Sequence, residues 1–147
     1  MRRSASALAG LVCLTTALTG CGGDSQQKML TEGARTARDA ASEVATVRLI
    51  SQQLLDHRLW SPSATRMVKD SEETLGKVAT GFTSRQPATG PARQTYDEFS
   101  DALDAAETAV EDTRIAMVNG DLTKVREQVG TLDKLSDQLR KLGESAR

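Results

Sequence analysis

Rings are scarce in this chain: Trp60, Tyr96, Phe82 and Phe99 make up its 3% aromatic share. A core with so few rings must be built from Ala, Val, Leu, Ile and Met, which favours closely approaching helices over a sheet sandwich. Histidine is scarcer still. With His57 alone, the usual His-based metal sites are excluded, and any imidazole chemistry falls to one residue. The two cysteines, Cys13 and Cys21, form neither a disulfide framework nor a metal-ligand spacing. Charge of one sign is missing too: 19 basic residues against 20 acidic ones give a net charge of −1. Both signs are interspersed along every segment, so the clustered Lys/Arg face that nucleic-acid binding requires is absent. The chain has no Gly-rich phosphate loop after a strand, no Gly-x-Ser-x-Gly elbow and no carboxylate–histidine spacing of the di-iron bundle type. The expectation is a protein that is not an enzyme and holds no metal or cofactor.

What is present begins with Arg2 and Arg3, a positive start followed by the apolar run Ala5 to Leu18. That run is shorter than the about 20 helical residues needed to span a hydrocarbon core, so it reads as an export signal rather than an anchor. The residues after Arg2-Arg3 lack the apolar-basic pattern of twin-arginine export, which leaves general secretion. The run ends in Leu18-Thr19-Gly20-Cys21, which resembles the lipobox of bacterial lipoproteins. The resemblance implies a thioether-linked diacylglycerol on Cys21 and cleavage between Gly20 and Cys21, in some cases followed by acylation of the new amine. Two or more acyl chains, at roughly 0.8 kcal/mol per buried CH₂, anchor stably where one binds reversibly. The alternative is a plain secretory signal cut after Ala17-Leu18-Thr19. On the lipobox assignment, residues 1–20 are removed and residues 21–28 form a lipidated N-terminus and tether. Gly22-Gly23 and Asp24-Ser25-Gln26-Gln27 read there as flexible chain. Residues 29–147 form one domain, and loss of Arg2 and Arg3 takes its charge to −3.

Within that domain four apolar stripes follow helical spacing. The first is Leu30, Ala34, Ala37, Ala41, Val44, Val47, Ile50 and Leu54, ending near Asp56 to Trp60. Its Ala-rich start is expected to project as a stalk or to pair with another copy. Ser61-Pro62 is a start signal, Ser as the N-cap and Pro at the first helical position. The second stripe is Ala64, Met67, Val68, Ser71, Leu75, Val78 and Phe82, and Pro87, Gly90 and Pro91 then break regular structure. The third is uninterrupted: Tyr96, Phe99, Leu103, Ala106, Val110, Thr113 and Met117. Asn119-Gly120-Asp121 supplies a stop and an Asp N-cap for a fourth helix carrying Leu122, Val125, Val129, Leu132, Leu135, Leu139 and Leu142, with Gly143 at its end. No stripe can be buried alone. The expected fold is all-α, an antiparallel up-down-up-down four-helix bundle after the cleaved signal.

The segment Glu43 to Met117, with arginine outnumbering lysine and frequent Ala and Thr across the chain, resembles small helical lipoproteins of high-GC Gram-positive bacteria. That resemblance implies location at the extracytoplasmic face of the membrane and carries no functional residue with it. Asp56-His57-Arg58-Leu59-Trp60 combines a carboxylate, a titratable ring and a large aromatic, so His57 and Trp60 are candidate ligand contacts. The simpler assignment has Trp60 sealing the end of the bundle and His57 in solvent. The acidic pairs Glu72-Glu73, Asp97-Glu98 and Glu111-Asp112 point about 100° apart on a helix and read as solvated faces rather than cation sites. The sequence thus points to a non-catalytic, membrane-anchored module that contacts a protein of the envelope or itself. The alternative is a bundle that binds a small ligand where Gly76, Gly81 and the Ala-rich part of helix one leave space.

Overall fold

A computed structural model describes residues 21–87 and 90–145. The export segment, with Leu18, Thr19 and Gly20, and the Cys21 side chain lie outside the described residues. Four helices follow in order, α1 (Cys21–Leu55), α2 (Ser61–Thr83), α3 (Pro91–Val118) and α4 (Leu122–Glu144). Their pairing is antiparallel. Along α1 and α4, Arg38 meets Gly143 and Arg48 meets Asp133. Between α2 and α3, Tyr96 meets Thr83 and Arg114 meets Glu72. One pole of the bundle therefore carries the start of α1, the α2–α3 connection and the end of α4. The opposite pole carries the α1–α2 connection and the α3–α4 turn. Among the described residues no helix is long and apolar enough to cross a membrane.

The bundle is flattened. α1 packs against all three other helices, whereas α2 and α4 lie on opposite flanks without close approach. Small side chains explain why α1 and α3 meet across the short diagonal, since Ala34, Ala37, Ala40 and Ala41 of α1 and Ala102, Ala106 and Ala109 of α3 are all buried. Gly33 tightens the same contact, because a Cβ there would lie 2.7–2.9 Å from the ring of Phe99. Phe99 in turn packs with Phe82, which stacks on Tyr96 at 5.5 Å, so three of the four rings gather near the N-terminal pole. The Ala-rich stretch of α1 is thus core, not stalk. Its short side chains let α4 approach closely, and Gly143 packs against Arg38 and the carbonyl of Ala34. What extends instead is the segment read as a flexible tether. Residues 21–28 continue α1, with Asp24 in the first turn where it favours the helix dipole and Gly23 to Lys28 exposed.

Three other details differ from expectation. The N-cap of α2 is Trp60, one residue earlier than Ser61, and Pro62 still falls in the first turn, where its missing N–H leaves no bond unmade. On α2 the buried line passes through Ala79 rather than Met67 and Val78. On α4 it runs through Val125, Gln128, Leu132, Ser136, Leu139 and Gly143, leaving Val129, Leu135 and Leu142 half-buried and Leu122 exposed. The small residues of α4, not its leucines alone, face α1, because only they permit the close approach. The third stripe is buried throughout.

Candidate functional site

The segment from Asp56 to Trp60 is shaped by the way α1 stops. His57 is the one described non-glycine residue with positive φ, at 56°. Its N–H donates to the Leu54 carbonyl at 3.1 Å, and the Arg58 N–H donates to the Gln53 carbonyl at 2.9 Å. These are the two bonds of a Schellman ending, with His57 at the left-handed position that glycine normally fills. The α3–α4 turn at the same pole closes by the same device, with Gly120 at φ 71° and the Asp121 N–H donating to the Ala116 carbonyl at 2.9 Å. Asp121 then caps α4, its carboxylate accepting from the Lys124 N–H at 2.9 Å. Two tight endings thus face one another across the pole.

Between them lies an open depression of about 550 Å³, lined by Leu54, His57, Arg58, Leu59, Trp60, Ser61, Gly120 and Leu122. The structure therefore brings both candidate contacts, His57 and Trp60, to one surface. Trp60 does not seal the bundle. It is 74% exposed, while Leu59 beside it is half-buried against the core. The backbone of Trp60, ahead of α2, is extended. His57 is exposed and makes no side-chain hydrogen bond among the described residues. Ser61 lines the same depression, and among the described residues no hydrogen bond joins it to His57. What the pole can do is present a large amphipathic ring flanked by Leu122, a guanidinium and an imidazole.

Sequence reasoning located His57 and Trp60, with Arg58 in the same segment, and missed Leu122 as their neighbour. The signal for Leu122 was available, because it directly follows the Asp121 cap and so begins the helix at this pole. The space expected at Gly76 and Gly81 is not internal: with Glu73, Lys77, Thr80 and Ser84 these glycines line an open surface depression on α2. The acidic pairs also separate. Glu72 pairs with Arg114 and Glu73 with Lys69, and Asp97 pairs with Arg93 while Glu98 faces solvent. Among the described residues no three His, Cys, Asp or Glu side chains are grouped to hold a metal ion. Comparison with protein-family models, with curated proteins and with solved structures finds no match to this chain.

Proposed function

We propose that this protein is a lipid-anchored module of the cell envelope, non-catalytic, held at the extracytoplasmic face of the membrane by Cys21 and presenting its opposite pole to a protein partner. The observation that carries the reading is Trp60, 74% exposed at the pole farthest from Cys21. Tryptophan and arginine side chains are among the commonest energetic anchors of interfaces, and here Trp60 lines one depression with Arg58. Val118, 61% exposed, and Leu122 share that pole with it and widen the apolar surface. The lipobox-like Leu18-Thr19-Gly20-Cys21 supports the anchor. α1 supports the geometry, since 35 residues at about 1.5 Å each separate its two ends by about 50 Å.

A photo-crosslinking amino acid placed at position 60 in intact cells tests the partner. The expected result is one dominant protein adduct that position 122 also yields and that a probe at exposed Gly23 does not. An adduct with a second copy of the chain would identify self-association as the contact. Absence of any protein adduct from either polar position would overturn the reading.

A further inference from the structure

We propose that Asn119 is a modification site of the Trp60 pole, converted without an enzyme to aspartate and isoaspartate at a rate set by opening of the α3–α4 turn. The proposal stands without the partner reading. Asn119 is the one asparagine of the chain, and Gly120 follows it. The turn requires that glycine, at φ 71°, because a side chain is strained in the left-handed region. It makes no such demand on residue 119. Asn119 ends α3 with helical backbone, φ −78° and ψ −7°, is exposed, and makes no side-chain hydrogen bond among the described residues. Its carboxamide is thus free to react, and Gly120, with no Cβ, leaves the neighbouring nitrogen open to approach.

The reaction is a ring closure. The Gly120 amide nitrogen gives up its proton and attacks the Asn119 side-chain carbonyl carbon, and ammonia leaves as the succinimide forms. Water then opens the ring at either carbonyl. One product is aspartate, and the other is isoaspartate, whose main chain runs through the side-chain carbon. In the folded turn the closure is geometrically barred. A five-membered ring needs the Gly120 nitrogen on the same side of the Cα–C bond as the Asn119 Cβ, about a third of a turn from the observed ψ of −7°. The Gly120 N–H also donates to the Met117 carbonyl at 3.1 Å, and the Asp121 N–H to the Ala116 carbonyl at 2.9 Å. Turning ψ breaks both bonds, so reaction follows local opening of the turn. Each product then alters the pole. Aspartate places a negative charge at the negative end of the α3 dipole. Isoaspartate lengthens the main chain by a methylene within the turn, and Gly120, which lines the depression with Trp60, shifts with it.

Full-length protein aged at mildly alkaline pH, folded and in guanidinium chloride, provides the test, with isoaspartyl methylation and peptide mass mapping as readouts. Deamidation at Asn119 is expected in both samples, at least about tenfold slower in the folded one. Asp121→Ala removes the carboxylate that accepts from the Lys124 N–H, which loosens the turn at the start of α4. Loss of that cap should speed the folded reaction at least about threefold while the denatured rate stays the same. Asn119→Gln, exposed and without a side-chain bond to lose, should keep the fold and remove the isoaspartate signal. The isolated isoaspartate form should melt below the Asn119→Asp variant, since only the former lengthens the main chain. No deamidation of Asn119 in the denatured chain would overturn the site. Equal folded and denatured rates, or a folded rate unmoved by Asp121→Ala, would overturn control by the turn. An isoaspartate form that melts with Asn119→Asp would overturn the change of shape.

Discussion

His57 sets the conformation of the Trp60 pole through its backbone rather than its ring. A left-handed residue with a Cβ is less stable there than glycine by about 1 kcal/mol, and the two Schellman bonds hold it in place. His57→Gly is therefore expected to stabilise the protein by about 0.5–1 kcal/mol, and Gly120→Ala to destabilise it by about as much, both read from denaturant midpoints. A loss of stability in His57→Gly would show that the imidazole makes a contact the backbone account lacks. Gly33 represents the opposite constraint, that of space. A Cβ there would lie 2.7–2.9 Å from the Phe99 ring, and Phe99 is only 1% exposed, so the ring has little room to retreat. Gly33→Ala should lower stability by about 1–3 kcal/mol, as overpacking of a filled core does. Neither position was legible from composition. His57 carries no turn signal of the Asn-Gly kind, and Gly33 lies inside a helical stripe where its partner is 66 residues away in sequence. Asp121, by contrast, could be read directly, because its capping bond spans three residues.

At the scale of the helix, periodicity revealed existence and order but not which neighbour each face meets. The third stripe is buried throughout because α3 touches α1, α2 and α4, so a wide apolar face finds a partner on every side. α4 has partners only in α1 and α3, and its buried line follows closeness of approach through Ser136 and Gly143 instead of following hydropathy through Leu135 and Leu142. Such a choice depends on the partner helix and is invisible in one sequence. Contacts between α2 and α3 also bear on pH. The Glu107 carboxyl is raised above the ordinary carboxylate range, first by burial beside Gly76 and then by the nearby Asp104 charge. Folded protein therefore takes up the Glu107 proton at higher pH than unfolded protein, so this residue favours the folded state at low pH and loses that contribution as pH rises through the raised value. Glu107→Gln should accordingly be more stable than the parent at neutral pH. The gap should close below about pH 4, where Glu107 is neutral in both states. Urea titrations across that range decide it, and a gap that persists at low pH would assign the effect to packing.

At the scale of the whole molecule, the proposed anchor and the packed core lie on separable parts of α1. Gly23 to Lys28 are exposed, and burial along this helix begins only at Met29. The chemistry at Cys21 can therefore change without disturbing the bundle. Cys21→Ser is expected to abolish fatty-acid labelling and move the protein from the membrane to the soluble fraction, while its unfolding midpoint stays within the about 0.5 kcal/mol typical of surface substitutions. Label that persists after Cys21→Ser would overturn the attachment site. The far pole invites a parallel separation. Trp60 contributes its carbonyl to the first turn of α2, accepting from the Ala64 N–H at 2.9 Å, and any residue can supply that group. Its side chain is largely exposed. Trp60→Ala should then leave stability within about the same 0.5 kcal/mol, leave membrane attachment intact, and remove the protein adduct formed by a crosslinker at position 122. A fall of about 2 kcal/mol or more would mean that the ring supports the fold, and with it the case for this pole as the contact surface would fail.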